Sequence, residues 1–244
     1  MSPRVSVVIP AYNESDNIVD SLRRINDAVT MPNEILVVVD SPEDTTIPVV
    51  EGMDPAVTQA RVLVQTYGRG PANAIRYGID QATAPSVVVT MADGSDDVRI
   101  IDDLVRLIER GCAIAAASRY MPGGQQIGGP RMKKLMSQTA GLTLHAFAGV
   151  GTRDATNSFK AYSTQFVREV GIDSRDGFEI GIELIAKARR LRLPIAELPT
   201  IWLDRDAGVS RFQIRKWLPM YLQWYRFAYG PALTQDQLQA RKPK

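Results

Sequence analysis

Residues 5–14 read VSVVIPAYNE and residues 86–97 read SVVVTMADGSDD, two apolar runs that each end in a polar turn. Val5 to Ile9, closed by Pro10, has the length and β-branched content of a strand buried on both faces. Ser86 to Thr90 repeats the pattern and ends at Met91-Ala92-Asp93. Between them, Glu14 to Val29 places Ile18, Leu22, Ile25 and Val29 at helical spacing, with Asn13 or Ser15 as N-cap. Ile35 to Val39 is a second buried strand ending at Asp40, and Val62 to Gln65 a third. A Gly-rich turn then leads into a helix over Pro71 to Gln81. Ile100 to Arg110 is helical, and Ala113 to Ala117 is a fifth strand, with Cys112 at its edge as a buried thiol. This alternation predicts an α/β fold with a doubly wound, mostly parallel central sheet flanked by helices. Ligands in such sheets bind beyond the carboxyl ends of the strands. Asp40 and Asp93 both fall there, on strands read as neighbours facing one cleft.

The second half is less regular. Gly123 to Gly129 reads as a flexible loop, Met132 to Phe147 as a helix, and Asp154 to Tyr162 as a turn and short strand. Gly177 to Leu191 reads as a helix, Ile195 to Trp202 as a strand, Asp204 to Arg211 as a charged loop, and Trp217 to Tyr229 as an aromatic-rich amphipathic helix. Residues 1–212 are assigned to the main domain and 213–244 to a basic, aromatic-rich C-terminal helix and tail.

The 244 residues are 45% hydrophobic and 23% charged, enough for one sizeable core, and the net charge of +2 makes no demand for nucleic acid. That charge is unevenly spread. Arg205 to Lys244 holds eight Lys or Arg against two Asp, a net of +6, so the rest carries −4 and the tail favours an anionic partner. One cysteine excludes an internal disulfide. No signal peptide is evident and no run is long enough to span a bilayer, so a cytoplasmic location is expected.

Four features carry chemistry. Pro10-Ala11-Tyr12-Asn13-Glu14 positions Tyr12 and Glu14 either to contact a nucleobase or to cap the next helix. Asp40, with Asp44 and Thr45 behind it, is either an acceptor for a base or ribose or an ordinary turn residue. Asp93-Gly94-Ser95-Asp96-Asp97 clusters carboxylates suited to a hard divalent cation, which takes oxygen ligands and keeps waters and substrate phosphates. Alternatively, Ser95 caps the next helix with Asp96 and Asp97 at its N-terminus. Finally Arg69, Arg119, Arg131, Lys133, Lys134, Arg205 and Arg211 lie in or beside loops, where guanidinium forks match phosphate oxygens.

These stretches resemble the family 2 glycosyltransferases of GT-A fold, and within them the dolichol- or polyprenol-phosphate sugar synthases. The resemblance runs in order through Val7 to Glu14, Val38 to Ser41, Gly70 to Ala74, Ala92-Asp93, Ala117 to Tyr120, Asn157 to Tyr162, Phe178 to Glu183 and Arg205 to Phe212. It implies that Pro10, Tyr12, Glu14 and Asp40 bind base and ribose, with Arg69 and Arg211 also on the donor. Asp93, helped by Asp96, would take the metal (magnesium or manganese) and the diphosphate. Arg119, Arg131, Lys133 and Ser137 would hold an acceptor phosphate, and Arg205 and Arg211 would close on the diphosphate. The residues expected to act directly in the reaction are Asp93, Arg119 and Arg205. Two positions depart from the pattern: Met91 stands where the family usually has a first aspartate, and Arg69 replaces a lysine.

The implied reaction transfers a hexose, with inversion, from a GDP- or UDP-sugar to a polyprenyl or dolichyl monophosphate at the cytoplasmic membrane face. An acceptor phosphate is already anionic near neutral pH, so no general base is needed, and His145 is expected to be structural. Trp217, Tyr221, Trp224 and Tyr225, with Arg215, Lys216 and Arg226, suit an interfacial helix on anionic lipid, or a terminal helix packed on the domain or on a second subunit. The protein would then be peripheral, with room for a membrane-anchor partner or homo-oligomer. Two other readings stand: a hydroxyl acceptor served by Glu183 or Asp154 as base, and a nucleotide-binding module without catalysis.

Overall fold

Uninterrupted runs of valine and isoleucine bury their side chains only in a sheet covered on both faces, and that is where they lie. In the computed structural model, which describes residues 2–175, 177–204 and 214–241, the chain alternates strands and helices. The order is β1 (Val5–Ala11), α1 (Ile18–Ala28), β2 (Asn33–Val39), α2 (Thr46–Glu51), β3 (Arg61–Val64), α3 (Pro71–Gln81) and β4 (Ser86–Val89). After a 3-10 turn at Val98–Ile100 come α4 (Ile101–Glu109), β5 (Ile114–Ser118), β6 (Gln125–Ile127) and α5 (Arg131–Thr143), whose last turn widens into a π-helix at Leu144–Ala148. Then follow β7 (Lys160–Ser163), α6 (Thr164–Val170), α7 (Ile180–Arg190), β8 (Ile195–Pro199), β9 (Ile201–Leu203), α8 (Ile214–Ala228) and α9 (Gln235–Ala240).

Seven strands form one sheet in the order β3-β2-β1-β4-β7-β5-β8; β7 alone runs antiparallel to its neighbours. The period-2 alternation of side chains divides the interior into two cores. Val7, Ile9, Val37 and Val39 meet α1 and α4 on one face. Val8, Leu36, Val38, Val87 and Val89 meet α3, α6, α7 and α8 on the other. α9 adds Leu238 to that second core.

Several boundaries differ from those expected. The N-cap of α1 is Asn17, not Asn13 or Ser15; Asn13 instead adopts a left-handed φ of 54° in the preceding turn. The stretch Gly123 to Gly129 is not all loop, because β6 pairs with β9 in a separate two-stranded ribbon. Ile195 to Trp202 is correspondingly two strands broken at Thr200, whose N–H donates to the Ser118 carbonyl while its own carbonyl accepts from Gln125. Cys112 precedes β5 and is half-buried rather than buried. α8 starts at Ile214 rather than Trp217, so that Pro219 lies inside it. The short helices α2, α6 and α9 went unread, each too brief to display a helical period.

Close packing of α3 on the sheet depends on Gly78. A Cβ there would lie 2.4 Å from Val8 Cγ1 and 3.0 Å from Val38 Cγ2. Gly78→Ala gains about 1 kcal/mol of helix propensity against an overpacking cost of about 1–3 kcal/mol. The expected net effect is a lower thermal midpoint; an unchanged or higher one would mean that α3 has slack against β1.

Candidate active site

The carboxyl ends of β1, β2 and β4 share one sheet edge. β2 and β4 are not neighbours, as expected from sequence, but flank β1; with strands spaced about 4.8 Å, their ends lie roughly 10 Å apart. Asp40 and Asp93 therefore stand on either side of the turn that follows β1.

That turn is held by its neighbour across the edge. The left-handed Asn13, a conformation asparagine tolerates, donates its N–H to both carboxylate oxygens of Asp44 at 3.1 and 3.0 Å. The Glu14 N–H donates to Thr46 Oγ1, and the Glu14 carboxylate accepts from Asn17 Nδ2 at 2.8 Å. Glu14 thus supports the start of α1, and Tyr12 beside it is half exposed. Asp40 accepts from Gln65 Nε2 at 2.9 Å and from the Gly70 N–H at 3.0 Å. Gly70, at φ 125°, leads into Pro71 at the first position of α3, so Asp40 fixes the glycine turn while only part of its acceptor capacity is used. Arg69 projects from this turn, exposed.

The second acidic turn is clamped by α1. Ser21 donates to the Ala92 carbonyl at 2.6 Å, and the Arg24 guanidinium donates to the carbonyls of Gly94 and Asp96. Asp93 accepts from the Ser95 N–H, as in an Asx turn. Asp96 is buried and accepts from Thr90 Oγ1 and the Met91 N–H at 3.0 and 3.2 Å. Burial, then the negative charge of Asp93, push its pKa up to about 6. The capping role goes to Asp97 rather than Ser95; its carboxylate accepts from the Arg99 N–H.

Beyond β5 lies the cationic half. Arg119 is nearly buried and makes a two-pronged contact with the fully buried Asp154, at 2.7 Å through Nε and 2.9 Å through Nη2. Nη2 also reaches Ser137 Oγ on α5 at 3.1 Å, and the Tyr120 ring lies 5.0 Å from the guanidinium. Burial works against both charges, yet the mutual attraction outweighs it: the Arg119 pKa is raised and that of Asp154 lowered. Arg119 and Ser137 are therefore brought together, as expected. Lys133 is half-buried and Arg131 exposed at the start of α5, while Lys134 donates to the Gln126 carbonyl. Arg205 and Arg211 lie outside the described residues.

Sequence reading missed Lys160. It is fully buried where β7 enters between β4 and β5, and its Nζ donates to the carbonyls of Ala155 and Asn157. Burial brings its pKa down to about 7, against the pull of Asp154. Its charge and that of Arg119 both act on Asp96. The acidic turn after β4 and the basic cluster after β5 thus form one electrostatic unit. A lysine inside the apolar run Phe159-Lys160-Ala161-Tyr162 was the available signal.

Neither alternative base is placed for catalysis. Glu183 is buried on α7, accepting from the N–H groups of Asp173 and Ser174 and from Lys187. Asp154 is committed to Arg119. His145 lies in the π-helical turn, its Nδ1 2.9 Å from the Val150 carbonyl. Of the aromatic stripe of α8, Trp217 and Trp224 are buried and Tyr221 and Tyr225 half-buried; Phe178 stacks edge-on against Trp217, and Lys187 lies under the Trp224 ring. The side chains of Arg215 and Lys216 lie outside the described residues.

Two carboxylates close enough for one to raise the pKa of the other suit a hard cation. Among the described residues no three His, Cys, Asp or Glu side chains converge, so a bound ion would complete its shell with phosphate oxygens and water. Asp93 and Asp96 fit that mode.

The mostly parallel sheet, flanked by helices and bearing acidic turns at one edge, is of the GT-A type. The sequence matches Glycosyl transferase family 2 over residues 6–171, and the chain belongs to that family. It is 30% identical to the polyprenol monophosphomannose synthase of Mycolicibacterium smegmatis over 85% of this chain and 80% of that protein. It is 29% identical to the undecaprenyl-phosphate mannosyltransferase of Micrococcus luteus, over 85% and 87%. The fold is shared with glucosyl-3-phosphoglycerate synthase of Mycobacterium tuberculosis in complex with Mg2+ and UDP, at a TM-score of 0.65 and 20% identity, over 92% of this chain and 78% of that one.

Because the folded pKa of Asp96 lies above that of an exposed aspartate, its contribution to stability is present below about pH 4 and lost as pH rises through about 6. Asp96→Asn should remove that part of the pH dependence, on the order of 2–3 kcal/mol, in urea titrations between pH 4 and 7. Parallel stability profiles for both proteins would reject the buried carboxylate as its source.

Proposed function

We propose that the protein transfers a hexose from a nucleoside-diphosphate sugar to a polyprenyl monophosphate, as a peripheral enzyme at the cytoplasmic membrane face. The observation that carries this reading is the buried guanidinium of Arg119, locked by Asp154 and joined to Ser137, beside the acidic Asp93–Asp96 turn. A phosphate acceptor calls for a cation fixed in place, which the two-pronged contact with Asp154 provides, and a hydroxyl acceptor for a base that neither Glu183 nor Asp154 supplies. The two mannosyltransferase relatives, named for polyprenol and undecaprenyl phosphate, point the same way.

In this reading Pro10, Tyr12, Glu14 and Asp40 line the base and ribose, and Arg69 reaches the donor from the glycine turn. Arg131, Lys133 and Ser137 join Arg119 on the acceptor phosphate. Arg205 and Arg211 are assigned to the diphosphate by resemblance alone. A phosphate oxygen attacks the anomeric carbon, the bond from that carbon to the diphosphate oxygen breaks, and the nucleoside diphosphate departs with its electron pair. One displacement inverts the configuration, and no proton has to move because the acceptor is already ionised. Catalysis then rests on alignment and on charge held in place before the reaction. Asp93 and Asp96 would hold a divalent cation that neutralises charge on the leaving diphosphate; the Mycobacterium tuberculosis relative of the same fold has been crystallised with Mn2+ as well as Mg2+.

Incubation with GDP- and UDP-hexoses, manganese and a polyprenyl phosphate in detergent should give a lipid-linked hexose with one of the donors. Asp93→Ala should abolish the product with the fold intact by circular dichroism; near-normal turnover would remove Asp93 from the mechanism. Arg119→Lys keeps the charge but loses the two-pronged contact with Asp154 that fixes it in place. It should raise the acceptor KM roughly tenfold or more and leave nucleotide affinity by calorimetry unchanged; an unchanged acceptor KM would reject its role.

A further inference from the structure

A second cationic centre lies at the opposite edge of the sheet from the candidate active site. Ile195 opens β8 and pairs with Ile114, the first residue of β5, whereas Arg119 follows the last. The two levels are roughly 16 Å apart along the strand. Beside Ile195 is a cavity of about 470 Å³, walled also by Ala148, Gly151, Arg189 and Arg192. That volume falls within the range of small-molecule sites. Three stretches supply the walls: 144–153, 189–196 and 226–235. Together they contain five arginines and no Asp or Glu. Glu197, next along β8, is taken by Thr152 and Arg153.

Buried charges are ordinarily paired; here neutral oxygens hold them. Arg189 donates from Nε to the Ala148 carbonyl at 2.7 Å and from Nη1 to that of Gly230. Arg190 donates to the carbonyls of Pro231 and Phe227. Among the described residues no carboxylate pairs with Arg189, Arg190 or Arg192. Burial, then the charges of Arg189 and Arg241, lower the Arg190 pKa. Capping of the π-helical turn and of the end of α8 accounts for Arg189 and Arg190. It does not account for Arg192. That residue closes α7 in a Schellman motif, its N–H donating to the Arg189 carbonyl and that of Leu193 to Ala188. Its φ is 57°, in the left-handed region that glycine enters without cost. The Arg192 side chain is exposed, lines the cavity and makes no hydrogen bond or ion pair among the described residues. An arginine kept in a glycine conformation, over a pocket that already holds uncompensated charge, points to a ligand.

We infer that this cavity binds an organic phosphate, at a site separate from those proposed for donor and acceptor. The guanidinium of Arg192 and the remaining Nη2 of Arg189 supply charge-assisted donors to phosphate oxygens. Leu193 and Ile195 give a compact carbon body an apolar wall. A soluble phosphate ester and the phosphodiester headgroup of a lipid offer the same chemistry. The inference stands apart from the proposed transfer, because neither arginine belongs to the sheet edge that carries Asp93 and Arg119.

The test is calorimetry on the full chain with two probes: glycerol 3-phosphate, and dihexanoyl phosphatidylglycerol kept below its micelle concentration. At least one should bind the wild type, and the one that binds names the source. Arg192→Gly, which suits the left-handed position and so keeps the fold, should weaken that binding roughly tenfold or more. Nucleoside-diphosphate affinity should stay unchanged. Arg192→Asn, a second residue that tolerates this conformation, should lose as much, and Arg192→Lys, with the charge but not the fork, should lose less. Binding of neither probe by the wild type would overturn the inference. So would equal affinity in wild type, Arg192→Gly and Arg192→Asn. A loss confined to Arg119→Ala would also overturn it, by assigning the bound phosphate to the acceptor site.

Discussion

The structure depends on a salt bridge that most proteins avoid. Asp154 has no solvent exposure and Arg119 little, so each ion has been taken out of water at a cost of several kcal/mol. What offsets the cost is geometry: two parallel N–H···O contacts, a third from the Arg119 backbone to Oδ2, and the Asn157 N–H on Oδ1. Loss of either partner strands a buried charge. The pair therefore pins the turn after β5 to the turn before β7, and through Ser137 it pins α5 as well. Such a pair adds little net stability compared with well-packed apolar residues. Its value is a cation whose position does not relax.

Lys160 extends the same logic one strand further. A strand that enters a parallel sheet antiparallel brings its first residue, not its last, to the carboxyl edge. β7 does this between β4 and β5, which sets Lys160 under the two loops that carry Asp96 and Arg119. The lysine donates to the carbonyls of the 154–157 turn, so the segment that holds Asp154 is itself held from below. Acidic and basic loops on different strands thus share one buried set of charges, and displacement of one is felt by the others.

The parallel half was legible because its strands are local, continuous apolar runs whose turns are marked by Pro10, Asp40 and Asp93. Helix α3 was readable, since Pro71 follows a Gly-rich turn and opens it. The ribbon β6–β9 was not legible. Each strand has three residues, and they lie some seventy-five positions apart, so no local period announces them. The site divides in the same way. Aspartates at strand ends declare themselves, whereas the Arg119–Asp154 contact joins residues thirty-five positions apart and Lys160 reads as an oddity in an apolar strand. The spacing of Trp217, Tyr221, Trp224 and Tyr225 established that α8 has an apolar stripe. Periodicity states which side chains share a face, not whether protein or lipid covers it.

Met91 changes the chemistry of the acidic turn rather than removing it. In this chain position 91 contributes its backbone N–H to Asp96, and Thr90 adds a hydroxyl, so the neighbouring main chain steadies the buried carboxylate. A carboxylate at position 91 would place a third negative charge beside Asp93 and Asp96, where burial and the charge of Asp93 already push the pKa of Asp96 up to about 6. With methionine there, the turn carries less charge to be neutralised, and Arg119 and Lys160 already act on Asp96 from behind. In the proposed reaction the leaving diphosphate would therefore meet Asp93 as the more accessible carboxylate, with Asp96 set deeper and its ionisation dependent on the cations around it. Donor binding and the state of Asp96 become linked: whatever brings positive charge to the turn also favours the ionised form of the buried aspartate.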